Sequence, residues 1–221
     1  DKYYVDTKFA EDQPIRDLHN YIKSKLISRI GSSTDNKGQL MIADLSCGRG
    51  GDIKKYLSIR NRIEFIMGLD ISSNVNEAAQ RFHYLTNPKP KALFLQYDTS
   101  QSIEKGEGCQ VTKDKEKRDI CTNMIDMVLG KSKTFHKKYT DIQKHYLGLA
   151  KGGFDIVSSQ FSLHYYFKDE DTLRGFCENI QYLCADDGYF IGTCYDGMKV
   201  TKTFAKEDTD ILDMIDSSGS L

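Results

Sequence analysis

IADLSCGRGGD, residues 42–52, decides the fold of this chain. An apolar run ends in an acid and opens into a glycine-rich turn. A short helical pattern follows, Asp52–Ile59, and then a second apolar run that closes in GLD at Asp70. Strand, glycine turn, helix and acid-tipped strand together describe a cradle for a nucleoside. Glycines admit a ligand close to the backbone and take angles denied to other residues. The helix behind them presents its positive end to the same place. An acid about twenty residues on, at the tip of the second strand, is placed to accept ribose hydroxyls.

The rest of the chain repeats that rhythm. Further apolar runs read as buried parallel strands at Leu40–Leu45, Glu64–Leu69, Ala92–Tyr97, Phe154–Ser158 and Tyr189–Cys194,. Helical spacing separates most of them, at Asn74–Leu85 and Thr172–Leu183,. Strands alternating with helices predict an α/β fold: a Rossmann-like, doubly wound, mainly parallel sheet with right-handed crossovers. Ahead of the first strand, Ile15, Leu18, Tyr21, Ile22, Leu26 and Ile30 predict a helix over Pro14–Ile30, followed by the turn-rich GSSTDNKG at 31–38,. NPKPK at 87–91 reads as a linker.

Residues 99–150 break the pattern and read as an insertion. GEGCQVTKDKEKRD, 106–119, is polar and mixed in charge, and predicts a solvated, mobile loop,. One or two helices are expected from Asp119 to about Tyr146, carrying Lys131, Lys133, Lys137 and Lys138. That cluster suits either RNA phosphates or a plain solvated face.

With 221 residues, 39% hydrophobic and 29% charged, the chain fits one globular domain,. No apolar run approaches the roughly 18 residues of a membrane span. A net charge of −1 confines any nucleic-acid footprint to a local patch,. The cysteines at 47, 109, 121, 177, 184 and 194 lack metal-ligand spacing and read as reduced thiols in an intracellular protein,. No metal is expected. Asp1 at the start suggests a piece of a longer polypeptide.

Two features narrow the chemistry. The glycines at 48, 50 and 51 miss the third position of a G-x-G-x-x-G dinucleotide loop, and no G-x-x-x-x-G-K-[ST] loop is present,. A third acid, Asp98, ends LFLQYD. The glycine loop, Asp70 and Asp98 at three successive strand tips would span the methionyl, ribose and adenine parts of S-adenosylmethionine. Each acid alone is as readily a cap or turn residue. In FDIVSSQFSLHYYF, 154–167, the strand should end near Ser159 and put Gln160, Phe161, His164 and Tyr165 at the mouth of the crevice. Aromatic rings beside a histidine suit purine stacking, while Leu163 and Phe167 read as the apolar face of the next helix.

DLSCGRGGD, GLDIS, SSQFSLHYYF and FIGTCYDG, with RDLHNYIKSKLI at 16–27, together resemble the mRNA cap (guanine-N7) methyltransferases. The DG after GTCY is similar to the viral branch, found in multifunctional capping enzymes of large cytoplasmic DNA viruses. The resemblance covers most of residues 14–200. It implies transfer of a methyl group from S-adenosylmethionine to N7 of the cap guanine, with S-adenosylhomocysteine as product. It further implies that Lys23 meets the cofactor carboxylate, and that Asp44, Gly48, Gly50, Gly51 and Asp52 surround the methionyl end. Asp70 would hold the ribose, Asp98 the adenine, and Gln160 would line the cofactor pocket. His164 and Tyr165 would contact the cap guanine, with His19 or Asn20 nearby; the family usually has asparagine where His19 stands. No general base is implied, because guanine N7 has no proton to lose. Capped RNA is the implied partner, with other capping domains of the same polypeptide or a stimulatory subunit beside it, no membrane, and the host cytoplasm as location.

On this reading residues 14–98 form the cofactor half, 99–150 the insertion, and 151–221 the start of an incomplete acceptor half. Family members add strands with an acid and a tyrosine past the position of GTCYDG, whereas the sequence here ends at SSGSL after a polar stretch. Two alternatives stand beside this one: a methyltransferase for another RNA base or a small molecule, and a catalytically idle methyltransferase-like subunit.

Overall fold

The computed structural model describes residues 13–34, 38–59, 63–85, 90–134, 139–199 and 202. In chain order they form α1 (Gln13–Ser33), β1 (Leu40–Asp44), α2 (Ile53–Leu57), β2 (Ile63–Asp70), α3 (Val75–His83), β3 (Lys91–Gln96), α4 (Lys115–Val128), α5 (Thr140–Lys144), β4 (Phe154–Gln160), α6 (Leu163–Tyr166), α7 (Glu170–Leu183) and β5 (Cys184–Thr193). The strands make one parallel sheet in the order β3-β2-β1-β4-β5. The order reverses between β1 and β4. In an open α/β sheet the crevice outside the strand carboxyl ends at such a reversal is where ligands bind.

Register aligns those ends. Asp44 pairs with Gly68 on one side and Ser158 on the other, Asp70 with Gln96, and Gln160 with Thr193. Both faces of the sheet are covered, which is why its strands read as nearly continuous apolar runs. Phe65, Met67 and Leu69 of β2 point into one core with Cys121, Ile125 and Val128 of α4 and Phe176 and Leu183 of α7. Ile42 and Ile66 point into the other, with Ile27 of α1, Ile53 and Tyr56 around α2, and Val75, Ala78 and Phe82 of α3. Among the described residues no helix is long and apolar enough to cross a membrane.

Three expectations change. Residues 106–119 are not simply a solvated loop: Glu107–Val111 forms a 3-10 turn that buries Cys109, and Asp114 caps α4 by accepting the Lys117 N–H. The reason lies at Gly108. Its carbonyl accepts the Asp98 N–H at 2.9 Å, and a Cβ there would stand 2.1 Å from the Tyr97 ring. The charged residues of this stretch face water while its small ones pack. Second, α1 forms as expected, yet Ile15, Leu18, Tyr21 and Ile22 are exposed, and Ile27 is its buried anchor. Third, β5 begins directly after α7 at Cys184, five residues before the Tyr189 expected, with an irregularity in its pairing between Phe154 and Ile156 of β4. Most of the 87–91 linker, with Lys137 and Lys138, lies outside the described residues.

Candidate functional site

The glycine loop leaves β1 and is fastened at several points. Gly48 and Gly50 have φ of 49° and 76°, the left-handed region that favours glycine,. A Cβ on Gly50 would stand 3.0 Å from the Ala78 backbone, so the loop lies directly against α3. The Gly48 N–H donates to Asp70 Oδ2 at 2.8 Å, which ties the loop to the tip of β2. Asp70 Oδ1 accepts from the Ser72 N–H and Oγ at 2.9 and 2.7 Å. Three of the roughly four acceptor positions of its carboxylate are thus engaged.

Asp44 is buried beneath the loop. It accepts the Ser46 N–H at 3.2 Å and the Tyr56 hydroxyl at 2.9 Å. Burial first, and then the negative charge of Asp52, pushes its carboxyl up to about 7. Tyr56 Oη also lies 2.9 Å from Ser158 Oγ, which accepts from Gln160 Nε2 at 3.0 Å. A buried polar chain therefore runs from the floor of the glycine loop to Gln160 at the end of β4. Asp52, at the start of α2, holds two ammonium groups: Lys23 Nζ of α1 at 2.8 Å and Lys55 Nζ at 2.8 Å. The Lys23 pair is what draws α1 onto the loop.

Beside this floor lies a cavity of about 780 Å³, within the usual range for a small-molecule site,. Its wall includes Ser46, Asp70, Ile71, Asp98, Gln160 and Tyr165. Asp98 accepts from the Ser100 N–H and Oγ at 3.0 and 2.7 Å, both on Oδ1. The wall of the cavity thus carries two carboxylates, Asp70 and Asp98, against one ammonium group, Lys168. Such a crevice favours a ligand with positive charge.

The far side is aromatic. His164 and Tyr165 sit on the four-residue α6, centroids 4.1 Å apart, and both line the cavity. Phe161 stands at φ 54°, an unusual conformation for a bulky residue,. Its N–H donates to Thr193 O and Oγ1 at 3.0 and 2.9 Å, and Thr193 Oγ1 donates in turn to Gln160 Oε1 at 3.1 Å. Those bonds hold the strained backbone in place. His19 of α1 stacks on Phe161, and Tyr195 touches His19, Phe161 and His164 at centroid distances of 5.8–5.9 Å. Burial lowers the pKa of both histidines, and the Lys23 charge lowers that of His19 further.

The structure thus brings Asp70, Asp98, Gln160, His164 and Tyr165 around one cavity. Asp44 bonds to Ser46 and the Gly48 N–H to Asp70, both in the cavity wall, whereas Gly50, Asp52 and Lys23 are not among its lining residues; Gly51 is exposed at the turn, and Asn20 is half-buried on α1 beside His19. Phe167, read as apolar packing, is 67% exposed; Tyr166 is the packed residue, stacked on Phe176 and bonded to Thr99. Lys131 of the basic cluster lies over the Tyr182 ring at 4.1 Å, so packing accounts for its position. Sequence reading passed over Tyr195, Thr193 and the hydroxyls of Ser46, Ser159 and Ser162, which lie within 3.2 Å of one another. Single hydroxyls carry no pattern; the tyrosine after GTC did offer a signal.

Three comparisons bear on this geometry. The family model of the mRNA (guanine-N(7))-methyltransferase domain matches residues 8–214. A probable mRNA-capping enzyme of Acanthamoeba polyphaga mimivirus is 30% identical over 194 residues, which is 83% of this chain and 14% of that protein. The mRNA cap guanine-N(7) methyltransferase of Caenorhabditis elegans is 27% identical over 188 residues, 84% of this chain and 40% of that protein. The chain therefore spans less than half the length of these relatives. A solved S-adenosylmethionine-dependent methyltransferase from Clostridium acetobutylicum shares the fold, with a TM-score of 0.50 at 17% identity over 87% of this chain and 58% of that one.

Proposed function

The chain belongs to the mRNA (guanine-N(7))-methyltransferase family, and from that premise we propose that it moves a methyl group from S-adenosylmethionine to N7 of the guanine that caps RNA. The observation that carries the reading is one cavity lined both by carboxylates and by a histidine–tyrosine pair. The residues present suit the cofactor. An acid-rich crevice fits a sulfonium cation, and the cavity has the volume for a nucleoside. Bound S-adenosylmethionine would supply an activated methyl group and a neutral thioether leaving group.

The chain's own residues then bind and orient. The remaining acceptor position of Asp70 takes a ribose hydroxyl, one hydroxyl more readily than the two expected. Asp98 Oδ2 takes the exocyclic amine of adenine, since the bonds from Ser100 fall on Oδ1. Lys23, braced by Asp52, is the cation offered to the methionyl carboxylate. Gln160, locked by Ser158 and Thr193, borders the reacting end. Phe161, His164, Tyr165 and Tyr195 offer ring faces to the guanine, with His19 and Asn20 alongside.

No side chain needs to move a proton. With the cofactor bound, guanine N7 would take the methyl group through its own lone pair as the sulfur leaves as a thioether, and the positive charge would pass to the purine. Holding the partners in line can contribute on the order of 7–11 kcal/mol to the rate. Burial lowers the pKa of both histidines, which favours the uncharged ring beside the cation formed in the purine. The viral form of the family and a partner domain or subunit are part of the same proposal, supported by the likeness to the mimivirus protein.

The test uses labelled S-adenosylmethionine with GpppA-capped or 5′-triphosphate RNA. Label should enter the capped RNA alone, at N7. Asp70→Ala should weaken cofactor binding at least tenfold in calorimetry. Label in an uncapped base would favour the alternative methyltransferase, and label in neither RNA the idle subunit.

A further inference from the structure

The cavity face that Phe161 offers toward α1 is already covered. The His19 imidazole lies 4.0 Å from the Phe161 ring, centroid to centroid, at an interplanar angle of 29°. That is contact distance for two stacked rings, so no purine fits between them. Phe161 is fixed at its backbone, which sits at φ 54° with its N–H held by both the carbonyl and the hydroxyl of Thr193. His19 has fewer anchors. It rides on the first half of α1, where Leu18, Tyr21 and Ile22 are 40–61% exposed and the first buried residue is Ile27. One more ring bears on it, Tyr195 at 5.8 Å in an edge contact.

We propose that His19 is a resident occupant of the stacking face of Phe161, which the guanine of capped RNA must displace, so that His19 sets the affinity of the acceptor pocket. This rests on the reading of the site given above. The cost of moving His19 falls on every ligand that needs this face, so the resident ring lowers affinity without touching the reaction.

The magnitude follows from what one stack contributes. Aromatic pairs add about 0.5–1.5 kcal/mol beyond buried area, so removing the competitor should change capped-RNA affinity by about two- to tenfold. Two variants of the full chain give opposite signs. His19→Ala should lower the dissociation constant and KM for GpppA-capped RNA by about two- to tenfold, while His19→Phe, a stronger stacker on Phe161, should raise both. The gain of His19→Ala should appear in KM more than in kcat. A helix end that merely loosened would shift both variants the same way. Weaker or unchanged binding by His19→Ala would overturn the proposal, because His19 would then support the guanine or stand apart from it. If the unaltered chain binds capped and triphosphate RNA equally, the cap reading itself falls and this inference falls with it.

Discussion

The carboxyl of Asp44 shows what a single residue contributes and what it costs. It is fully enclosed, and its neighbours Asp52 and Asp70 add negative charge, so it ionises near pH 7 when folded against 3.8 in a flexible chain. A folded pKa above the unfolded one means the native state binds more protons. The contribution to stability is then complete below about pH 4 and is lost as the pH rises through about 7. Over that whole range the loss is on the order of 4 kcal/mol. Asp44→Asn removes the ionisation and keeps an oxygen that can accept from Ser46 or Tyr56. In thermal unfolding of the protein alone, the melting temperature of the native sequence should fall between pH 5 and pH 8 by about 5–10 °C more than that of Asp44→Asn. Equal slopes would mean that the carboxyl is not held up. The sequence displays the acid at the strand tip but not this behaviour, because the burial and the neighbouring charges exist only once β1, β2 and the glycine loop are assembled.

At the scale of elements, residues 107–128 brace the third strand. Their 3-10 turn sets the Gly108 carbonyl on the Asp98 N–H, and Cys109, Cys121, Ile125 and Val128 complete the core beneath β2. Gly108→Ala would press a methyl to 2.1 Å from Tyr97 and 2.3 Å from the Asp98 carbonyl. Overpacking of that kind costs about 1–3 kcal/mol or more. Because the clash falls on the residue next to Asp98, cofactor affinity should drop along with chemical stability in urea. A variant that loses stability yet binds cofactor at full strength would detach the brace from the site. The central strands β1, β2 and β4 were legible as apolar runs because they are buried along nearly their whole length. The brace was not, since GEGCQVTKDKEKRD has the composition of a loop and reveals its packing only through two small residues, Gly108 and Cys109.

Across the whole molecule, the reversal of strand order between β1 and β4 separates two jobs. The β1–β2–β3 side gathers the glycine loop, Asp70 and Asp98, all visible in the sequence because the chemistry of each is local to a strand tip. The β4–β5 side gathers Gln160, Phe161, His164 and Tyr195, and α1 crosses to it from the start of the chain. That meeting of His19 with Phe161 and Tyr195 joins residues up to 176 positions apart, and no local pattern announces it. The division makes a prediction for hydrogen exchange. Cofactor product, S-adenosylhomocysteine, should slow exchange in residues 46–52, 70–72 and 98–101. The cap dinucleotide GpppA should act instead on residues 161–166 and on the first half of α1, where exposed apolar residues and few buried anchors predict fast opening. If His19 must leave Phe161 for the guanine to enter, GpppA should speed exchange around residues 17–21 while slowing it at 161–166. Slowing at both would show α1 clamping down on the cap, and a response confined to the β1–β3 side would remove the aromatic cluster from the acceptor site altogether.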